Sequence, residues 1–283
     1  MTVAARQCLV VGPSWVGDMI MAQSLYTALR RAHPDMAIDV LAPAWSAGIL
    51  ARMPEVRHAL VSPFAHGRFD WAGRRRLARE LRPAAYDQAI VLPNSWKSAL
   101  VPLLAGIPLR TGYLGEFRHG LLNDARRLDK QAMPRLVERY AALAFPPSPP
   151  GGGAGGEGAT LAPPQPRLSV NPEAQQASLA RLGLKLDRPI LALCPGAEFS
   201  PAKRWPESHY AAVARAKLRD GWQVWLFGSA KDQPVTEAIA ASLPSSGGEG
   251  ATVANLAGRT SLEEAVDLLA CAATVVSNDS GLM

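Results

Sequence analysis

The chain has 283 residues, 48% of them hydrophobic and 19% charged, with a formal net charge of +6. That length allows two cores, and the composition excludes wholesale disorder. No apolar run approaches the ~18 residues of a membrane-spanning helix, and the run at 8–11 is too short for the core of a signal peptide.

The charge is unevenly placed. Residues 1–145 hold 19 Lys+Arg against 11 Asp+Glu, a net of +8, whereas residues 146–283 hold 11 against 13, a net of −2. A basic first half points to an anionic partner, namely nucleic acid, a phospholipid surface or a phosphorylated substrate; arginine-rich coding bias is the bland account. Nucleic acid fits poorly, because no reading motif or interleaved aromatic platform accompanies the basic residues. Cys8, Cys194 and Cys271 lie far apart in or beside apolar runs, without metal-ligand spacing, and read as reduced thiols in a cytosolic protein.

In chain order, residues 8–11 read as a buried strand. Met19, Ile20, Leu25, Ala28 and Leu29 then recur at helical spacing. A strand is expected at 37–41, stopped by Pro43-Ala44. A basic helix follows at 74–81, ended by Pro83, then a strand at 88–92 and a helix at 100–105. Residues 146–168, rich in Pro and Gly, read as a flexible linker. The alternation then restarts, with strands at 190–193, 223–227 and 274–277 and helices at 210–218, 235–242 and 262–269. A second flexible patch is expected at 245–250. Such alternation implies parallel βαβ units. The expected architecture is α/β, with two doubly wound Rossmann-like lobes facing a cleft, residues 1–145 and 169–283. The second lobe stops where a helix has barely begun, so the sequence reads as C-terminally incomplete.

Three strand-to-helix turns carry residues suited to chemistry, since ligands bind at the carboxyl ends of parallel strands. The first is Gly12-Pro13-Ser14-Trp15-Val16-Gly17-Asp18. Its glycines permit close backbone approach, and Asp18 is placed to accept a proton from a hydroxyl; complementing the helix dipole is the alternative role. It is neither a Walker A loop nor GxGxxG. The second is Cys194 through Pro206, where Gly196, Ser200, Lys203 and Arg204 suit a diphosphate, although an ordinary basic loop would look the same. The third is Asn278-Asp279-Ser280-Gly281, which would serve either as an anion-binding helix start or simply as an N-cap.

These stretches resemble the lipopolysaccharide heptosyltransferases of glycosyltransferase family nine, and within it the heptosyltransferase II group more than heptosyltransferase I. The likeness runs through Val11–Met19, Ala42–Trp45, Arg52–Val56, Val91–Ser95, Lys97–Leu100, Gly120–Asp124, Cys194–Pro206, Phe227–Asp232 and Ser277–Met283. It implies a GT-B fold with an N-terminal acceptor lobe and a C-terminal donor lobe, and inverting transfer of L-glycero-D-manno-heptose from ADP-heptose without a metal. The acceptor implied is the phosphorylated heptosyl-Kdo core on lipid A. The location implied is cytoplasmic, peripheral to the inner membrane, with no nucleic-acid partner. By motif position, Asp18 is implied as general base. Lys203 and Ser200 are implied at the diphosphate, and Asp279, Ser280 and Gly281 as the donor-phosphate helix start. Thr260 and Asp232 fall on the adenosine side. Ser14, Trp15, Lys97, Arg110, Tyr113 and Arg118 are acceptor candidates. Arg74, Arg75, Arg76, Arg79 and Arg82 are expected to share a helix face toward an anionic membrane, or else to form an ordinary solvated face. In this family the last motif continues into a His that this sequence does not reach. A sugar-nucleotide epimerase and a non-catalytic nucleotide-binding protein are the rival readings.

Overall fold

The computed structural model describes residues 6–64, 69–146, 162–197, 203–244 and 253–278. The chain divides into two compact units, Met1–Leu168 and Ser169–Met283.

The first unit is built on a six-stranded sheet in the order β3-β2-β1-β4-β5-β6. The strands are β1 (Gln7–Val11), β2 (Ala37–Pro43), β3 (Val56–Ser62), β4 (Gln88–Val91), β5 (Leu109–Tyr113) and β6 (Asp124–Arg126), and every pairing is parallel. Cys8 through Val11 are all buried, as a central strand covered on both faces requires. The helices are α1 (Val16–Ala32), α2 (Ala44–Leu50), α3 (Trp71–Leu81), α4 (Leu100–Ala105) and α5 (Leu136–Ala142). Pro43 ends β2 and Ala44 opens α2 directly. Asp70 caps α3 by accepting from the Gly73 amide at 2.8 Å. Leu9, Leu41 and Ala89 pack against Ala78 and Leu81 of α3 and Val101 of α4 to form the core of one face.

The expected linker is shorter than its composition implies. Residues 162–168 belong to the first unit, and the buried Gln23 of α1 holds Arg167 at both backbone groups. Its amide nitrogen donates to the Arg167 carbonyl at 2.9 Å, and its amide oxygen accepts from the Arg167 N–H at 2.8 Å. Residues 147–161 lie outside the described residues, as does the patch expected at 245–250.

The second unit carries a parallel sheet in the order β10-β7-β8-β9, with β7 (Ile190–Cys194), β8 (Gln223–Leu226), β9 (Val253–Asn255) and β10 (Thr274–Ser277). Its helices are α6 (Pro172–Leu182), α7 (Glu207–Arg219), α8 (Gln233–Ala241) and α9 (Leu262–Leu269). Strand alternation sorts the core. Leu191, Leu193, Val224 and Leu226 face α7 and α8 through Tyr210, Ala214 and Ile239. Ile190, Ala192, Cys194 and Trp225 face α6 and α9 through Leu179, Ala265 and Leu268. Covered faces on both sides make the unit doubly wound. Burial pushes the thiols of Cys8 and Cys194 up to about 12, so both pack as protonated, apolar groups.

Candidate active site

In each unit the sheet reverses its winding at one point, and there the loops at the carboxyl edge part to leave room for a ligand. In the first unit that point lies between β1 and β4, so the turns after those two strands flank it. In the second unit it lies between β7 and β10.

The turn after β1 ends in the first turn of α1, where Asp18 is the third residue. Trp15 occupies the cap position without a side-chain cap hydrogen bond. Asp18 makes no hydrogen bond or ion pair with another described residue, so its carboxylate is not spent on holding the helix start. Burial raises its pKa above the usual carboxylate value. A desolvated, uncommitted carboxylate at a strand-end opening is what a general base requires. Its charge is also felt by Tyr140 on α5, whose hydroxyl burial and the Asp18 charge together hold protonated. The turn is braced by Trp45 on α2, whose ring nitrogen donates to the Ser14 carbonyl at 2.8 Å. Trp15 and Trp45 are both exposed. Gly12 has a different reason from the one its sequence implied. It is buried, and a Cβ there would come within 2.7 Å of the Met19 methyl, so its smallness serves packing.

Three of the six acceptor candidates are used by the fold itself. Arg118 is buried and donates to the carbonyls of Pro93, at 2.5 Å, and Tyr113, with a longer contact of 3.5 Å to the Asn94 amide oxygen. Burial pushes its pKa down, and no carboxylate among the described residues hydrogen-bonds to it. Arg110 donates to the carbonyls of Leu121 at 2.9 Å and Ile107 at 2.6 Å. The buried Tyr113 hydroxyl donates to the Arg139 carbonyl at 2.7 Å. Arg118 and Tyr113 are held inside the fold, and Arg110, half-buried, turns its guanidinium onto main-chain carbonyls of the loop before β5 and the segment after it. Lys97, half-buried in the turn after β4, remains at the edge with Ser14 and Trp15. Arg74 also departs from its expected place on the exposed face of α3. It turns inward, with its guanidinium carbon 4.3 Å from the centre of the Phe64 ring, and donates to the Lys97 carbonyl at 2.8 Å.

In the second unit Lys203 is exposed at the end of the loop after β7, next to Arg204. Arg204 donates to the Ala197 carbonyl at 3.1 Å through a terminal nitrogen. Asp232 sits between the loops after β7 and β8. Its Oδ2 accepts from the Ser229 amide at 2.8 Å and hydroxyl at 2.7 Å. A Cβ on Gly196 would come within 2.7 Å of the Asp232 carboxyl, so this glycine is what lets the acid reach across. Thr260 lies in the turn that leads into the Ser261 cap of α9. The Gly258 amide donates to the Gly228 carbonyl at 2.9 Å, joining that turn to the loop after β8. Ser200, Asp279, Ser280 and Gly281 fall outside the described residues.

One residue at this edge carried no assigned role in the sequence. Asn278 directly follows β10 and is buried. Its amide oxygen accepts from the Trp205 N–H at 3.0 Å and the Tyr210 hydroxyl at 2.9 Å, and its nitrogen donates to the Pro195 carbonyl at 2.7 Å. It thereby ties the end of β10 to the loop after β7 and the start of α7. In the sequence it looks like the leading residue of a helix cap; its far partners, 68 to 83 residues away, leave no local signal.

The sequence profile of glycosyltransferase family 9 (heptosyltransferase) matches residues 74–283. The chain belongs to glycosyltransferase family 9. This family 9 chain is 50% identical over 279 residues to the lipopolysaccharide heptosyltransferase 2 of Salmonella typhimurium, covering 97% of the chain and 78% of that protein. The protein of the same name from Escherichia coli K12 is 50% identical over 277 residues with the same coverage. Among solved structures, that of the E. coli ADP-heptose heptosyltransferase II matches with a TM-score of 0.85 at 48% identity, over 98% of this chain and 80% of that one. A family 9 glycosyltransferase from Veillonella parvula matches with a TM-score of 0.82 at 18% identity, a likeness of fold alone, over 100% and 78%. The two parallel α/β units are thus those of a GT-B glycosyltransferase, and the chain is an enzyme of that class.

Proposed function

We propose that this enzyme transfers L-glycero-D-manno-heptose from ADP-heptose to the heptosyl-Kdo inner core of lipopolysaccharide, as a heptosyltransferase II, with inversion and without a metal ion. The names and 50% identity of the Salmonella and E. coli relatives support the donor and acceptor classes. The observation that carries the mechanism is the desolvated Asp18 carboxylate at the first unit's strand-end opening, held by no other described residue.

In this mechanism Asp18 takes the proton of the acceptor hydroxyl as its oxygen forms a bond to the anomeric carbon. The bond from that carbon to the diphosphate breaks on the opposite face, and ADP leaves with the electron pair. A single displacement of this kind inverts the anomeric centre. The charge that develops on the diphosphate is met by Lys203, together with the Asp279-Ser280-Gly281 motif. Asp232 and Thr260 lie toward the adenosine. Ser14, Trp15 and Lys97 border the acceptor. The acceptor is lipid-borne, so the enzyme works at the cytoplasmic face of the inner membrane; none of its described helices is long and apolar enough to cross one.

The test is transfer with radiolabelled ADP-heptose in EDTA, alongside donor binding by calorimetry. Wild type keeps its full rate in EDTA. Asp18→Ala binds donor as wild type does and loses on the order of 100- to 10,000-fold in turnover. Lys203→Ala weakens donor binding instead. Normal turnover by Asp18→Ala, or unchanged donor affinity in Lys203→Ala, removes the corresponding role.

A further inference from the structure

Of the large aromatic rings that the first unit leaves exposed, three form one cluster, with Phe69 packed between Trp71 and Trp96. Phe69, Trp71 and Trp96 are 47%, 45% and 36% exposed. The Phe69 ring centre lies 5.2 Å from that of Trp96 and 6.3 Å from that of Trp71. Single exposed apolar side chains are ordinary, but a contiguous cluster on a soluble surface marks an interaction site. The patch joins two segments, the approach to α3 and the turn after β4. It is fastened from beneath by Arg74, which lies 5.7 Å from the Phe69 ring centre and donates to the Lys97 carbonyl beside Trp96. The Asp70 cap on Gly73 fixes the helix start that presents Trp71.

From that patch a row of cations runs along the helix. Positions 71, 75 and 79 are four residues apart and share one face of α3, and Trp71, Arg75 and Arg79 are all exposed. Arg76 and Arg82 are exposed beside and beyond them. The one acid on α3 is Glu80, which meets Arg76 at 4.0 Å. The helix has 11 residues and so extends about 16 Å. That length spans several lipid headgroups and exceeds what one sugar ring stacked on the aromatics would use. Rings of this kind settle at the headgroup level of a bilayer, and arginines beside them meet its phosphates.

We propose that this face of α3 docks the enzyme on an anionic phospholipid bilayer. Phe69, Trp71 and Trp96 enter the interface, while Arg75, Arg79 and Arg82 contact phosphate. The inference rests on the reading that the acceptor is bilayer-borne, and it assigns the contact to particular side chains.

The experiment uses the full chain with sedimented vesicles of phosphatidylglycerol and phosphatidylcholine, or of phosphatidylcholine alone. In parallel, transfer is measured on an acceptor saccharide stripped of its acyl chains. The wild type is expected to sediment with the anionic vesicles and not with the neutral ones, and its tryptophan emission shifts to the blue. Trp71→Ala and the double variant Arg75→Glu/Arg79→Glu each weaken that binding by more than about tenfold. Both variants keep the wild-type thermal midpoint and the wild-type rate on the delipidated acceptor. A wild type that ignores anionic vesicles overturns the docking surface, as do variants that bind them equally well. Loss of transfer to the delipidated acceptor in the variants overturns it too, by showing that the patch holds saccharide. If the wild type itself cannot use that acceptor, the proposed transfer reaction fails while the vesicle result still decides the docking surface.

Discussion

Asp18 combines two properties that pull against each other. Its environment disfavours the ionised form, since burial raises its pKa. Catalysis by proton abstraction needs that same ionised form. The sign follows directly. In the folded protein an ionised Asp18 is unfavourable at any pH above its ordinary pKa, and protonation relieves the cost as the pH falls. Replacing Asp18 with Asn, which carries no charge, is therefore expected to raise the thermal midpoint at pH 7.5 while removing transfer. A lowered midpoint in a calorimetric scan would mean that the carboxylate stabilises the helix start after all. For the wild type, the acid limb of kcat/KM is expected above the unperturbed carboxylate value of 3.8, because the rate falls as Asp18 takes up a proton. The sequence marked Asp18 by position alone, three residues into a helix behind a glycine-bearing turn. What it did not reveal was that Arg110, Tyr113 and Arg118 face inward. The hydrogen-bond partners of Arg110 and Arg118 are main-chain carbonyls and, for Arg118, the Asn94 amide, so no opposite charge in the sequence pairs with them to betray their place.

At the scale of elements, the strands most legible in the sequence were those buried on both faces, although the more exposed β10 was also legible as a short run of β-branched residues. β1, β7 and β8 are continuous apolar runs, and burial on two sides dictates that composition. The edge of the first sheet was not legible. β3 is a half-exposed strand, β5 carries an arginine and a glycine, and β6 has three residues, two of them charged. Such strands owe their pairing to neighbours far along the chain, with little hydrophobic signal of their own. The second unit's carboxyl edge depends on Asn278 in the same non-local way. Replacing it with Leu leaves the Tyr210 hydroxyl, the Trp205 amide and the Pro195 carbonyl without their partner, at about 1–3 kcal/mol for each buried group. The expected outcome is a lower melting temperature together with weaker ADP binding, because the loop that ends in Lys203 loses its anchor. If calorimetry shows full ADP affinity in a destabilised Asn278→Leu protein, the residue holds the fold without positioning the donor.

For the whole molecule, charge follows the division into units. The net of +8 on residues 1–145 against −2 on residues 146–283 concentrates the excess of cations in the first unit, where the proposed anionic acceptor and membrane would be drawn. The sequence read that division through the change in composition after residue 145, with a second lobe from residue 169; the two compact units of the structure are Met1–Leu168 and Ser169–Met283. It missed that Gln23 clasps Arg167, since an amide gripping a main-chain segment 144 residues away has no sequence signature. Both α5 and residues 162–168 belong to the first unit, and the clasp ties the latter to α1. Gln23→Ala removes both hydrogen bonds to Arg167, so the Arg167 amide is expected to exchange with solvent much faster and stability to fall by about 1–3 kcal/mol, a loss that hydrogen exchange and a calorimetric scan would read together.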